Sequence, residues 1–255
     1  MKIIGIIPVR YGSIRFPGKP LVKIKDKPMM QWVYEAASKS KFLDEVIVAT
    51  DDKKIFNCAE TFGAKVVMTP ECNSGTDRLA FTVKKINCDI VVNIQGDEPL
   101  LKPEIIDAAI KPLIKNKSIQ VATVATDFEN GKGKANPNNV KVILNKNNFA
   151  IYFSRLPLPN SLKHIGLYVY KKNFLLKFAQ MKQTPLELAE KLEQLRILEN
   201  GYKIYVVKTK YKTIGVDTKS DLEKVKKWLS LGSKFSRHAR ATTLLPSLCS
   251  SLLKA

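Results

Sequence analysis

A basic loop rich in glycine and proline follows the first apolar run of the chain. The sequence RYGSIRFPGKPL, residues 10–21, carries Arg10, Arg15 and Lys19. It contains neither GxxxxGK[ST] nor GxGxxG, so the two commonest nucleotide-binding signatures are absent. Glycine lets a backbone approach an anion closely, and the three cations could neutralise a polyphosphate. The loop is predicted to bind phosphate, and the alternative is a solvated basic loop.

Two carboxylates follow a later apolar segment. In NIQGDEP, Asp97 and Glu98 come directly after a strand-like run and Gly96. Mg²⁺ is usually held by one or two carboxylates together with phosphate oxygens, so a carboxylate facing a phosphate loop suits a magnesium-nucleotide site. A simple strand-end turn is the alternative. Asp217, in GVDT, is a second candidate carboxylate, although taken alone it is more typical of a helix cap.

A third group of polar residues, SGTDR, occupies positions 74–78. Small hydroxyl and glycine residues let a planar base lie against the backbone, and Arg78 could reach a base edge or a phosphate. By itself the pattern is more typical of a helix N-cap.

The segments that must position these groups alternate between strand and helix patterns over the first 100 residues. This alternation predicts a parallel or mostly parallel sheet, with the loops 8–21, 50–52 and 95–99 lining one cleft at the strands' carboxyl ends. The predicted strands are 2–7, 45–50, 64–69, 89–101, 119–126, 140–145, 150–155, 163–171 and 202–209. The predicted helices are 29–38, 52–63, 74–86, 184–199 and 221–230.

Length and composition indicate one main domain, residues 1–230, followed by a basic tail, residues 231–255, that has no acidic residue and is assigned no role. The first residues lack a secretory pattern and no stretch is long enough to span a membrane, so we expect a cytoplasmic protein with no membrane partner. Four cysteines without CxxC spacing and two histidines do not suggest a zinc site.

The net charge of +20 raises the question of a nucleic-acid partner. Only seven of the 43 basic residues are arginines, and five of these lie within the short motifs discussed here. The lysines are dispersed, which favours a surface bias over a nucleic-acid-binding face, and no nucleic acid is expected as a partner.

Eight motifs taken together resemble the CMP-Kdo synthetase family, the 3-deoxy-manno-octulosonate (Kdo) cytidylyltransferases. They occur in this order: RYGSIRFPGKPL, VATDD, SGTDR, NIQGDEP, YFSR, HIGLYVY, EQLRILENG and GVDT. The resemblance implies an α/β, nucleotide-diphospho-sugar transferase-like (Rossmann-like) three-layer fold with a mostly parallel central sheet. It also implies a cytoplasmic homodimer that uses Mg²⁺ to convert CTP and Kdo into CMP-Kdo and pyrophosphate for lipopolysaccharide biosynthesis.

The same resemblance implies a set of site residues. The residues implied to hold the CTP phosphates are Arg10, Ser13, Arg15 and Lys19, and those near the cytidine are Thr50, Ser74, Thr76 and Arg78. Asp97 and Asp217 match the magnesium-binding aspartates, and Gln95 bridges to the sugar acid. The implied Kdo pocket consists of His164, Tyr168, Glu193, Gln194 and, as a neighbour, Arg155. Arg10, Lys19 and Asp97 are the implied catalytic residues.

Two rival functions stay open at this point. A CMP-sialic acid synthetase, or another cytidylyltransferase that uses an acidic sugar, would share the fold and the class of substrate, and a basic nucleic-acid-binding protein is a remote alternative. The connection at 156–163, LPLPNSLK, is shorter than in many members of the resembled family, which puts the geometry of the implied dimer in question.

Overall fold

The structure, a computed structural model, describes residues 1–12, 16–128, 131 and 133–241, with side chains omitted from 231 onward. The strands are β1 Ile3–Pro8, β2 Lys23–Ile24, β3 Lys27–Pro28, β4 Glu45–Thr50, β5 Lys65–Met68, β6 Ile90–Asn93, β7 Val121–Thr126, β8 Lys141–Leu144, β9 Ala150–Ser154, β10 Leu162–Lys171 and β11 Tyr205–Thr209. The α-helices are α1 Met29–Ala37, α2 Lys53–Thr61, α3 Gly75–Val83, α4 Pro103–Lys115, α5 Lys172–Phe178, α6 Pro185–Glu190, α7 Gln194–Glu199 and α8 Lys219–Ala241.

The main sheet is mixed but mostly parallel along its central path. Its order is β11-β7-β10-β6-β1-β4-β5, with β8 paired to β10 and β9 paired to β8. Strands β6, β1, β4 and β5 run parallel, whereas β10 runs antiparallel to all three of its neighbours, β6, β7 and β8. The sheet therefore has a parallel half and a half organised around one reversed strand.

Helices cover both faces of the sheet because the side chains of each buried strand alternate in direction. Ile3 and Ile7 of β1 pack with α1, α2 and α4 on one face. Ile4 and Ile6 pack with α3, α5 and α7 on the other. This arrangement confirms the predicted three-layer α/β class.

The segment 184–199, predicted as one helix, forms two short helices instead. Lys191 adopts a left-handed backbone conformation with φ of 54° and ends α6, before α7 begins. A buried ion pair between Arg196 and Glu187 holds the two helices together across the break. The leucine spacing is compatible with a single helix, because a periodic pattern carries no information about the ion pair between Arg196 and Glu187.

Other elements also differ from the sequence prediction. The strand predicted at 89–101 extends only over Ile90–Asn93, and α5 was not predicted. No element was predicted between 102 and 118, where α4 forms with Pro103 in its first turn, a favoured position because the proline ring presets φ. Helix α8 does not end at 230, the predicted limit, but continues to Ala241. The remainder of the predicted tail, 242–255, lies outside the described residues.

Among the helices that the structure describes, none combines the length and apolar character needed to cross a membrane.

Candidate active site

The carboxyl ends of the parallel strands lie at one edge of the sheet. Strand β1 pairs on one side with β4 and on the other with β6, so the loops that follow these strands emerge together. Gly96 is needed for this convergence, because a Cβ atom there would lie 2.5 Å from Cγ1 of Val9. The loops after β1 and β6 line a cavity as predicted, whereas the loop 50–52 contributes no residue to its wall.

The first cavity has a volume of about 450 Å³ and lies at this edge. Its walls combine backbone from the loops with charged and polar side chains. The lining residues are Pro8, Val9, Arg10, Lys19, Pro20, Cys72, Asn73, Ser74, Gly75, Arg78, Gln95, Gly96, Asp97, Glu193 and Asp217.

Lys19 joins the two predicted metal-binding carboxylates in the first cavity. Its Nζ lies 2.6 Å from Oδ2 of Asp97 and 3.5 Å from Oδ1 of Asp217. The backbone N–H of Val216 donates to the carbonyl of Asp97 at 2.9 Å, which brings the late GVDT segment to the loop after β6. Two carboxylates that are 120 positions apart in sequence therefore face the same ammonium group, and their predicted role as magnesium ligands stays a prediction.

A helix-capping role, the alternative for Asp217, belongs to its neighbour. The Oγ1 of Thr218 accepts a hydrogen bond from the Asp221 N–H at the start of α8. Asp217 is thus left facing Lys19 and the cavity.

Glu98 lies behind the two aspartates. Burial, and then the negative charge of Asp97, raise the pKa of its carboxyl to about 7, while Thr213 and Lys163 oppose the rise. Its Oε2 is buried without a hydrogen-bond partner among the described residues.

Of the residues predicted near the cytidine, some line the first cavity and others do not. Ser74 lines the first cavity and also caps α3, since its Oγ accepts from the Asp77 N–H at 3.1 Å. Arg78 lines the cavity with a nearly buried side chain. Thr50, in contrast, is fully buried, lines neither cavity described here, and uses its hydroxyl to accept from the Asp52 N–H.

The second cavity adjoins the first and has a volume of about 370 Å³. It is formed mainly by the reversed strand β10 and by the segment between α6 and α7. Its lining residues are Thr76, Asn93, Gln95, Val140, Arg155, His164, Gly166, Tyr168, Tyr170, Phe178, Lys191, Leu192, Glu193 and Gln194.

His164 is held in the second cavity as a neutral ring. Its ring centroid lies 5.1 Å from that of Phe153 and 5.4 Å from that of Tyr168, and its Nε2 is 2.8 Å from the Thr123 hydroxyl. These neighbours enclose most of the ring, which stays partly exposed, and the desolvation lowers the pKa of His164 to about 3.

Two buried polar atoms belong to residues lining the second cavity and have no partner among the described residues. They are the hydroxyl of Tyr168 and Oδ1 of Asn93. Because buried polar groups in native proteins are almost always hydrogen-bonded, such atoms beside a cavity are suited to meeting polar groups of a ligand. Tyr168 was predicted from the sequence, whereas Asn93, at the end of β6, was missed.

Gln95 and Glu193 line both cavities. Glu193 is held between them by Thr76, whose hydroxyl donates to Oε2 of Glu193 at 2.6 Å. Thr76, predicted near the cytidine, lines the second cavity. The two shared residues make the cavities neighbouring compartments of one site.

Arg155 also lines the second cavity, but much of its hydrogen-bonding capacity is used by the protein. Its Nε donates to the carbonyl of Glu190 at 3.1 Å and its Nη1 to that of Pro137 at 3.2 Å. Gln194 lines the same cavity. Ser13 and Arg15 lie outside the described residues, so their predicted phosphate contacts stay predictions.

The sequence matches the protein family described as Cytidylyltransferase over residues 4–204. A relative from Geobacter metallireducens, a 3-deoxy-manno-octulosonate cytidylyltransferase, is 50% identical, and the match covers 90% of this chain and 98% of that protein. A relative of the same name from Fusobacterium nucleatum is 47% identical, with 88% and 96% covered.

Solved structures agree with these sequence matches. A CMP:2-keto-3-deoxy-manno-octonic acid synthetase in complex with CTP superimposes with a TM-score of 0.87 at 38% identity, covering 91% of this chain and all of that one. A 4-diphosphocytidyl-2C-methyl-D-erythritol synthase from Anaerococcus prevotii, 16% identical with a TM-score of 0.62, shares the fold.

Proposed function

The chain belongs to the cytidylyltransferase family, and we propose that it transfers CMP from CTP to 3-deoxy-manno-octulosonate, giving CMP-Kdo and pyrophosphate. The family identified from the eight motifs is thereby confirmed, as is its classification as a nucleotidyltransferase. The observation that supports the reaction most strongly is the pair of adjoining cavities, which share Gln95 and Glu193 and of which the first has more charged side chains in its wall.

The first cavity suits the triphosphate of CTP. Arg10 and Lys19 supply positive charge at its wall, and the cleft lies at the carboxyl ends of parallel strands, where α/β proteins commonly bind nucleotides. We assign the predicted phosphate contacts to these two residues together with Ser13 and Arg15. Neutralising the departing pyrophosphate is what such cations contribute to phosphoryl transfer.

The two aspartates fit a magnesium ion. Asp97 and Asp217 already contact one cationic nitrogen, Nζ of Lys19, and oxygen ligands are the ones that Mg²⁺ prefers. Within the described residues no group of three or more acidic, histidine or cysteine side chains converges, so substrate phosphates and water would complete the shell. When bound, the ion would polarise the α-phosphate and help orient the incoming hydroxyl.

The second cavity suits a polyhydroxylated sugar acid, because neutral polar and aromatic groups line most of it together with Arg155, Lys191 and Glu193. The hydroxyl of Tyr168 and Oδ1 of Asn93 are buried polar atoms without partners in the described residues, and both could pair with sugar hydroxyls. His164, Glu193 and Gln194 complete the assigned set, with Arg155 beside them.

The reaction then requires positioning more than covalent help from the protein. The anomeric oxygen of Kdo forms a bond to the α-phosphorus of CTP while the bond from that phosphorus to the oxygen bridging to the β-phosphate breaks. The hydroxyl proton passes to the departing pyrophosphate or to solvent. Gln95 and Glu193, at the border of both cavities, would align the two substrates for this in-line transfer.

A substrate panel tests the assignment. We expect the purified protein to release pyrophosphate from CTP only when Kdo and Mg²⁺ are both present, with each component omitted in turn as a control. Turnover with N-acetylneuraminate but not with Kdo would assign the protein to the alternative function, a CMP-sialic acid synthetase. Turnover with a sugar phosphate alone would contradict both.

We also propose that the enzyme acts as a homodimer in the cytoplasm, with no nucleic-acid or membrane partner, in lipopolysaccharide biosynthesis. This part of the proposal rests on the chain's membership of the cytidylyltransferase family. Sedimentation equilibrium of the purified full chain would measure the subunit number, and a mass of one chain at micromolar concentration would contradict the dimer.

A further inference from the structure

Arg78 is a charged side chain locked in place at the wall of the first cavity. It is only 3% exposed, yet it lines the cavity. Its Nη2 donates to Oδ2 of Asp51 at 2.6 Å, and its Nη1 donates to Oγ1 of Thr69. A guanidinium has five N–H donors in a fixed plane, so these two hydrogen bonds leave three others.

Asp51 supplies the only carboxylate that the described residues place in an ion pair with Arg78. It follows the last residue of β4, and its side chain is 22% exposed. It does not line the first cavity, so any effect it has on a ligand there must act through Arg78. The other partner, Thr69, is neutral and cannot replace the missing charge if Asp51 is removed.

We infer that Asp51 is a positioning residue for recognition of the nucleotide base, holding the guanidinium of Arg78 in the plane from which it selects cytosine. The inference rests on the proposed function, because it takes the first cavity to be the CTP site. No sequence argument assigned a role to Asp51, which stood only as one of two acidic residues in VATDD.

The chemistry of the two pyrimidines explains why the orientation matters. Cytosine presents two neighbouring acceptors, N3 and O2, whereas uracil carries a proton on N3. A guanidinium only donates, so it can serve the cytosine edge but leaves the uracil N3–H facing another donor. A site built to make such hydrogen bonds discriminates well only while its own groups stay fixed.

The test compares affinities for CTP and UTP, measured by isothermal titration calorimetry without Kdo. For Asp51→Ala we expect CTP affinity to fall about 10-fold or more, with a much smaller loss for UTP, because a charged hydrogen bond that orients the donor is removed. Asp51→Asn, which keeps an acceptor oxygen, should lie between Asp51→Ala and the wild type. The KM for Kdo should stay unchanged.

Asp52→Asn is the matched control. It makes the same change in charge at the next position, where Asp52 accepts from the N–H groups of Lys54 and Ile55 at the start of α2. This variant should keep the wild-type preference for CTP over UTP. In an Arg78→Lys background, Asp51→Asn should cause no further loss of preference, since the residue it positions is already gone.

An unchanged CTP-to-UTP preference in a folded Asp51→Asn or Asp51→Ala variant would overturn the inference. Equal losses of affinity for both nucleotides would overturn it as well, because they would place Arg78 on a phosphate. Thermal unfolding checks the fold, and the isosteric Asp51→Asn supplies the test if Asp51→Ala does not fold. If the wild type binds CTP but shows no turnover with Kdo, the proposed sugar substrate is wrong, and the affinities for CTP and UTP can still be compared.

Discussion

The two cavities adjoin each other, but charged side chains make up a larger part of the wall of the first than of the second. The first is lined by full charges, with Lys19 contacting Asp97 and Asp217. The second is lined largely by neutral polar and aromatic groups, including a His164 ring whose pKa lies at about 3. The first lies at the ends of parallel strands, whereas the second is built on the reversed strand β10.

This difference indicates that the first cavity binds its ligand mainly through charge and the second mainly through hydrogen bonds and shape. Phosphates carry formal charge and are held by cations and metal ions, which act over several ångströms. A sugar is recognised through individual hydroxyls, which require fixed hydrogen-bonding atoms at close range. Substitutions in the first cavity should therefore affect nucleotide use and chemistry, and those in the second should affect use of the sugar acid.

The largest effect is expected from Asp97→Asn. Loss of a metal-binding carboxylate should lower turnover at saturating substrates by roughly 100-fold or more, because charge on the transferring phosphate is no longer stabilised. Steady-state pyrophosphate release measures this, and circular dichroism verifies the fold. Asp26→Asn, at an exposed position outside both cavities, is the control. Near-normal turnover for Asp97→Asn would remove this residue from the metal site.

Lys19→Met should have the next largest effect. It removes one cation from the phosphate side, so kcat/KM for CTP should fall roughly 10- to 100-fold while the KM for Kdo changes little. The equivalent change at the exposed Lys146 serves as the control for loss of charge. A rise in the KM for Kdo with unchanged use of CTP would reverse the assignment of the two cavities.

Tyr168→Phe is the corresponding change in the second cavity. Its hydroxyl is buried without a partner in the described residues, so removing it should raise the KM for Kdo about 10-fold and leave the KM for CTP unchanged. Because no protein hydrogen bond is lost, the melting temperature should not fall. A lower melting temperature with normal Kdo kinetics would show that the hydroxyl serves the fold instead.

The smallest effect concerns the pH dependence of stability at His164. Its folded pKa lies below the unfolded value, so the unfolded chain binds the extra proton as pH falls below about 6.5, and the native state loses stability. The wild type should therefore lose more stability than His164→Gln when the pH is lowered from 7 to 5. Because the ring is partly exposed, we expect the two losses in free energy of unfolding to differ by about 1 kcal/mol. Urea titrations at the two pH values measure the difference, and equal pH dependence would contradict a neutral, desolvated ring.

The sequence was most informative about the first cavity. Residue types alone predicted a phosphate loop at 10–21 and a metal site at Asp97, because full charges beside strand ends have few structural uses. They also predicted the alternating strands and helices of the parallel half, whose β-rich and helical patterns are local. Residue types alone made Asp217 only a candidate, whereas the family resemblance implied it as a metal ligand, and it lies 3.5 Å from Nζ of Lys19.

The second cavity could be predicted only through the family resemblance. His164 and Tyr168 have the residue types of an ordinary core, and Asn93 carries no local signal for a binding role. The break at Lys191 and the contact between Asp51 and Arg78 depend on tertiary ion pairs, which no local periodicity encodes. The sequence therefore predicted which charged residues belong to the site, but not which ion pairs between distant residues hold their side chains in position.

The most direct test of the whole account is a competition experiment with the wild-type enzyme. CTP and Mg²⁺ are supplied with equal concentrations of Kdo and N-acetylneuraminate, and the products are identified by mass spectrometry. We expect CMP-Kdo as the dominant product, formed in a one-to-one ratio with pyrophosphate. CMP-N-acetylneuraminate as the main product, or no sugar nucleotide at all, would contradict it.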